Sequence, residues 1–369
     1  MRVRDAVIEY QKTLDNAGTL TKDLDLVDPV SALYLEFEAT NGGTSNKRNW
    51  ISDVITKIEV VNGSDVLYGL NLLQLEALFF YKTGRMPTMF PSEFADGIQR
   101  HGCLILFGRH LWDPDYCMDF TRYANPQLKI TSNLNAIRDV GVDGFLTGTL
   151  KGSIVAKVME DSPKPSHYLM AKEIKAFTSA ASGEERIELP IDYVYRMLML
   201  RSYLEGIDIE YPMQQLKFTC DTDKFVMLNR YVKQLDAEAL ALFGTGSLKH
   251  DIFASNHEVV RTPFNKEPGA SITEYEQDGT NLHAITYHWG GAMYLNSATH
   301  AGVPDAVDKK WTTIARGHSP HATLPIPFGL MDRPETWFDP TPYKKVEAVI
   351  TQNYAACASQ VVLEQVRPL

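Results

Sequence analysis

Two stretches of this chain, far apart in the sequence, follow one plan. Residues 105–133 read ILFGRHLWDPDYCMDFTRYANPQLKITSN, and residues 326–353 read IPFGLMDRPETWFDPTPYKKVEAVITQN. Each runs from Phe-Gly through an acidic, proline- and aromatic-rich loop to Asp, Thr and Tyr, and then to Ile-Thr-x-Asn. So irregular a pattern has little reason to recur unless the structural unit around it recurs. The fold must therefore be one that two copies of a single unit can build.

Three weaker correspondences appear in the same order. Residues 7–26, VIEYQKTLDNAGTLTKDLDL, resemble residues 173–190, EIKAFTSAASGEERIELP. Residues 31–39, SALYLEFEA, have a counterpart in YVYRMLMLRSYLE at 193–205. Residues 56–84, which begin TKIEVVNGSDVLYG, match 215–246, which begin QLKFTCDTDKFVML. The shift is 165 from Gly18 to Gly183 and 162 from Gly84 to Gly246, but 220 from Tyr123 to Tyr343. The second copy thus carries an insertion of about sixty residues between Gly246 and Phe328. A surface excursion is expected there, with a strand of its own at NLHAITYHW, residues 281–289.

Within each copy the local pattern is that of strands. TLTKDLDL alternates Leu20, Leu24 and Leu26 with Thr21, Asp23 and Asp25, and ALYLEFEA alternates Leu33, Leu35 and Phe37 with polar partners. ITKIEVV and GCLILFG are short and apolar or β-branched, with Gly or Asn at their borders. Asn62-Gly63-Ser64 reads as a hairpin turn. One helix stands out per copy, NLLQLEALFFYK at 71–82 and RYVKQLDAEALALF at 230–243, with glycines at 84 and 244–246 to stop them. The N-terminal RDAVIEYQKTL fits either an amphipathic helix or a strand.

The expected fold is therefore all-β: two tandem eight-stranded antiparallel jelly-roll barrels, each with one flanking helix. Another strand order within a sandwich would read much the same. The expected boundaries are a first barrel at 1–161, a linker at 162–171 marked by SPKPS, and a second barrel at 172–369. The long loop insertion falls at about 247–327.

Composition excludes several functions. At 44% hydrophobic and 22% charged, this is an ordinary folded chain. No apolar run approaches the ~20 residues of a membrane span. The opening MRVRDAVIEYQKTLD lacks the apolar stretch of a secretory signal, so export by that route is not expected. Cys103, Cys117, Cys220 and Cys357 form no CxxC pair and read as reduced, buried thiols. A net charge of −10 without any basic block argues against direct nucleic-acid binding.

No constellation of catalytic, cofactor-binding or metal-ligating residues emerges. His283 and His288, and His318 and His321, invite a metal, but no H-x-H pair of the cupin type exists. GTGSLKH at 244–250 and LTGTLKGS at 146–153 lack phosphate-loop spacing. No G-x-S-x-G elbow presents a serine. Asp113, Asp115, Asp332 and Glu335 of the repeated loops are the best carboxylates for a glycosidase. Pro114, Pro334 and Pro340, with Trp112, Tyr116, Trp337 and Phe338, favour a structural loop instead. Tyr34, Phe79, Phe80, Tyr193 and Tyr195 read as core or subunit-contact residues.

Two fused barrels with one helix apiece resemble the double jelly-roll major capsid proteins of icosahedral, membrane-containing viruses of bacteria and archaea. The resemblance spans essentially the whole chain. Its most family-like stretches are ITKIEVVNGSDVLYGLNLLQLEALFFY, AKEIKAFTSAASGEERIELP and the closing CASQVVLEQVRP. It implies a bacteriophage virion protein, made in the host cytoplasm, without cofactor or enzymatic activity. It also implies homotrimers that tile a shell as pseudo-hexamers, and the insertion as an outward tower. Implied partners are neighbouring trimers, penton or vertex and minor capsid proteins, and an underlying viral membrane through the N-terminal segment with Arg2 and Arg4. A β-sandwich carbohydrate-active enzyme or lectin, and a minor vertex or spike protein, are the alternatives.

Overall fold

The computed structural model describes residues 1–369 except 44–45, 138–143, 255–258, 267–271, 276–281 and 300–308; at 250–254, 272–275, 282–289, 294–299 and 309–313 it describes the backbone alone. The chain opens with strands β1 (Arg2–Thr13), β2 (Ala17–Asp23) and β3 (Val30–Thr40). A one-turn helix α1 (Ile51–Val54) leads to the hairpin β4 (Ile55–Asn62) and β5 (Asp65–Leu70), turned at Gly63 with φ 61°. Helix α2 (Leu72–Thr83) follows, then β6 (Thr88–Phe90), β7 (Ile98–Leu106), β8 (Pro126–Asn133) and β9 (Lys151–Glu160). These strands make two facing sheets, β1-β9-β3-β7-β6 and β2-β8-β4-β5.

The second half begins with β10 (His167–Thr178), β11 (Gly183–Leu189) and β12 (Val194–Tyr203). The hairpin β13 (Met213–Cys220) and β14 (Phe225–Tyr231) runs into helix α3 (Val232–Phe243). An excursion then comprises β15 (Gly246–Ala254), β16 (Val259–Arg261), β17 (Phe264–Lys266), β18 (Ile272–Tyr275), β19 (Leu282–Trp289), β20 (Ala292–Thr299) and β21 (Lys309–Pro320). Strands β22 (Thr323–Pro327), β23 (Val346–Gln352) and β24 (Ala358–Pro368) close the barrel. Its sheets run β10-β24-β12-β22 and β11-β23-β13-β14, the order of the first half except that the short edge strand β6 has no counterpart.

The correspondence extends to irregularities. The β1–β9 register slips at Ile8, and the β10–β24 register at Ile174. A second slip falls at Ser31 in β3 and at Arg196 in β12, and a third at Thr56 and at Gln214. A bulge adds one unpaired residue and sharpens the local twist, so matched bulges bend both barrels alike. Strand β1 settles the open reading of the N-terminus. Its bulge leaves Ile8 and Glu9 both half-buried in succession, which breaks the alternation.

Two boundaries differ from the sequence reading. The stretch taken as linker, 162–171, ends inside β10, where Tyr168, Leu169, Met170 and Ala171 are buried. The insertion ends before 327, because Thr323–Pro327 is a barrel strand that, among the described residues, pairs only with β12. Its prolines, 325 and 327, suggested loop; an edge strand tolerates them, since one side needs no ladder donor. Nor is the insertion mainly loop. Strand β15 leaves and β21 returns as its antiparallel partner over residues 246–254 and 309–317, and Leu282–Trp289 is the strand expected at NLHAITYHW.

Each sheet turns alternate residues inward. In β3, Leu33, Leu35, Phe37 and Ala39 are buried while Tyr34, Glu36 and Glu38 are half-exposed. Helix α2 starts with a capping box: Gln74 N–H donates to Asn71 Oδ1 at 2.8 Å, and Asn71 N–H to Gln74 Oε1 at 3.0 Å. Gly84 ends the helix in the left-handed conformation, as the sequence predicts. Asn71→Ala is expected to lower stability by about 1 kcal/mol in urea unfolding.

Candidate assembly surfaces and the junction between the barrels

Helix α2 carries apolar residues on every side, LLQLEALFF, and nearly all of it is buried, so it must be covered all round. One side packs on its own barrel; the second barrel supplies the rest. Met197, Met199 and Val362, which face outward from β12 and β24, belong to the same apolar cluster as Leu72, Leu75 and Leu78. Strand β10 continues the first barrel's sheet, with Lys172 paired in parallel to Gly69 of β5. Tyr81 donates its hydroxyl to the Thr323 carbonyl at 2.9 Å.

At the end of α2, Lys82 Nζ lies 2.8 Å from Glu364 Oε1 of β24, and Arg196 of β12 pairs with the other carboxylate oxygen. All three side chains are buried. Burial pulls the Lys82 ammonium down to about 8 despite Glu364. Burial pushes the Glu364 carboxyl up, but the two cations outweigh it and hold it below the usual range. The sharing of one anion by two cations is completed by neutral acceptors, with Lys82 Nζ also donating to the Leu106 carbonyl and Arg196 Nε to the Met331 carbonyl, both at 2.9 Å.

A second buried polar group ties the insertion to the first barrel. Glu76, in the middle of α2, accepts from Ser52 Oγ at 2.8 Å and lies 2.9 Å from His101 Nδ1. From the second half, His321 Nε2 sits 2.7 Å from its other oxygen. Burial drives the His321 imidazole down to about 4, with Glu76 opposing and Arg261 and Arg201 reinforcing the shift. Burial raises the Glu76 carboxyl, and the two histidines more than reverse that. Beside this group Arg261 of β16 pairs with Asp53 of α1 and lies 4.2 Å over the Trp50 ring. At the matching place in α3, Asp236 accepts from Ser319 Oγ at 2.6 Å and lies 3.1 Å from His318 Nε2.

The duplicated loops also resolve into matched parts. Phe107 packs against Tyr68, Phe120 and Tyr168, and Phe328 against Tyr195, Phe218 and Phe338. A Cβ at Gly108 would stand 2.3 Å from the Tyr116 carbonyl, and one at Gly329 2.4 Å from the Thr336 carbonyl. Only glycine lets the loop close in that way. Asp119 and Asp339 each accept from the N–H and the hydroxyl of the threonine two residues on.

Of the four glycosidase carboxylates, Asp113 is buried and held by Arg109 through Nε at 2.8 Å, Nη2 at 2.9 Å and the backbone N–H at 3.0 Å. Burial raises its carboxyl, but Arg109 brings the net shift below the ordinary range, the reverse of what a general acid needs. Asp115 shares the same guanidinium at 2.7 Å. Asp332 and Glu335 are exposed on the other loop. The two loops touch, with Tyr116 and Trp337 6.0 Å apart, so the repeated element serves as a brace between barrels.

No known family profile matches this sequence, and no curated protein does. Solved structures do. The major capsid protein of STIV, Sulfolobus turreted icosahedral virus, superposes with a TM-score of 0.60 at 9% identity, over 99% of this chain and 96% of that one. The major capsid protein P2 from bacteriophage PM2 does so at 0.54 and 10%, over 100% and 98%. The PBCV-1 virus capsid chain gives 0.59 and 9%, over 99% and 93%. This chain is a double jelly roll.

Other residues singled out in the sequence take structural places in the double jelly roll. Phe80 and Tyr195 are buried, while Tyr34, Phe79 and Tyr193 are half-buried. The four cysteines are buried and unbonded. GTGSLKH passes from the end of α3 into β15, and LTGTLKGS turns into β9. The side chains of His283 and His288 lie outside the described residues. Among the described residues no three histidine, cysteine or acidic side chains are arranged to hold a metal, and no helix is long and apolar enough to cross a membrane. The N-terminal segment, read as a membrane contact, is an edge strand paired with β9 from Arg2 onward. Sequence reasoning missed Glu76 and His101, and weighed His321 only as a metal ligand. A carboxylate and a glutamine in the middle of an otherwise apolar helix were the signal.

Proposed function

We propose that this chain is a major capsid protein that assembles as homotrimers into an icosahedral shell. The observation that carries the reading is the architecture: two barrels whose eight shared strands follow one order, fused through one continuous sheet. Three such chains give six similar wedges around one axis, and a six-sided tile covers a surface without gaps. The coverage of capsid chains from end to end, insertion included, supports the same role.

The proposed work of the protein is assembly, without catalysis, cofactor or metal. The buried, arginine-clamped Asp113 removes the best support for a carbohydrate-active enzyme. The insertion rises from the α3 end of the second barrel and is the candidate outer tower. Vertex and minor capsid proteins, and a lipid vesicle beneath the shell, belong to the same proposal. A net charge of −10 suits a shell protein that does not itself coat nucleic acid.

Light scattering on the purified full chain tests this directly. The expected mass is three times the 41.5 kDa of one chain. A monomer across the micromolar range would refute the tile.

A further inference from the structure

Two sheets of this chain end on strands that border the same cleft. Strand β6 is the last of its sheet and, among the described residues, pairs only with β7. Strand β15, at the root of the insertion, is likewise terminal and pairs only with β21. The two segments touch where a Cβ on Gly246 would stand 2.8 Å from Met86 Cγ. They form no ladder with each other, and a cleft of about 800 Å³ is lined by both. That volume is in the range of ordinary ligand sites.

The cleft has an apolar floor and a basic rim. Met89 and Leu248 are buried in one apolar cluster with Trp50 and Phe264, and Met86 packs against it. Their neighbours Thr88, Phe90, Ser247 and Lys249 are exposed, so the two edges alternate alike. Arg85 and Lys249 both line the cleft and are exposed, whereas no acidic residue lines it. Among the described residues neither cation pairs with a carboxylate. In a chain of net charge −10, two such cations in one concave site favour an anionic partner from outside.

We propose that this cleft receives an extended acidic peptide of a partner protein, added as a strand along the β6 and β15 edges. An unpaired edge is a template for just such an addition. Residues 246–249 offer about 13 Å of edge, enough for about four residues of partner. Alternate apolar side chains of the peptide rest on Met89 and Leu248, and the carboxylates between them meet Arg85 and Lys249. A compact anion would satisfy the two cations but leave both strand edges open, so the paired edges single out a peptide.

The test pans a phage library of random peptides on the purified full chain and measures the enriched sequences as synthetic peptides. Enriched peptides are expected to alternate apolar with acidic residues. Binding, read by fluorescence anisotropy, should weaken at least tenfold in Arg85→Glu/Lys249→Glu, whose fold is checked by circular dichroism. Hydrogen exchange of the parent chain should slow at residues 88–90 and 246–249 when the peptide is bound. Failure to enrich any peptide, equal binding to the charge-reversed variant, or binding that leaves those amides unchanged overturns the proposal. Heparin that binds the parent but not the variant, with no peptide enriched, would assign the cleft to an anionic glycan instead. None of these outcomes depends on whether three chains assemble, which the light-scattering mass decides by itself.

Discussion

Glu364→Ala is expected to cost about 3–5 kcal/mol, because it strands two cations between the barrels. Lys82 and Arg196 keep only neutral acceptors once the carboxylate is gone, and neither side chain is more than 2% exposed. Their mutual repulsion, now offset by the shared anion, would act between buried groups, where bulk solvent screens it little. The triple replacement Lys82→Met/Arg196→Leu/Glu364→Leu removes the charges together and is expected to recover most of the loss. Urea unfolding at fixed protein concentration separates the cases, since assembly makes stability depend on concentration. A single Glu364→Ala variant as stable as the parent would show that the cluster relaxes to water.

The second large effect is expected in mild acid. His321 has a folded pKa near 4 against about 6.5 when unfolded. A depressed histidine binds its proton in the unfolded state first, so its contribution is intact above pH 6.5 and lost as pH falls toward 4. Between pH 7 and 4.5 the loss amounts to about 2–3 kcal/mol. Glu76, shifted in the same direction from a carboxylate's range, adds to the loss only below about pH 4.5. Thermal melts at pH 7 and 4.5 should therefore diverge strongly in the parent chain. In His321→Gln the part of the difference due to this imidazole should vanish. Equal pH dependence in parent and variant would mean that the imidazole is protonated in the fold, contrary to its burial.

Much of this architecture was legible from residues that sterics make hard to replace. Gly108 and Gly329 are glycines for the same crowded carbonyl, and Asp119 and Asp339 are aspartates for the same turn. Such positions survive divergence, so the duplication showed through and led to the fold. What stayed hidden depends on partners distant in sequence. Alternation identifies strands only while it holds, and the bulge at Ile8 made β1 ambiguous. Pro325 and Pro327 masked an edge strand because propensity does not report which side of a strand is free. The junction was the least legible part. Glu76 meets His321 across most of the chain, and no local pattern encodes that meeting.

The mostly apolar α2 also sets an order on the making of the molecule. Lys82 and its partner Glu364 are 282 residues apart, so Glu364 is synthesised long after the helix it meets. At roughly 5–20 residues per second, the first barrel waits on the order of 15–60 s on the ribosome with that helix uncovered. During this interval its natural cover is the outward face of a second barrel, which a finished chain keeps buried against its own α2 and would have to open to share. Domain exchange between nascent and finished subunits is thus the characteristic hazard of this design, and crowded expression should favour it over dilute expression. The same fusion that keeps two barrels together in the finished chain exposes the first of them while the second is still being made.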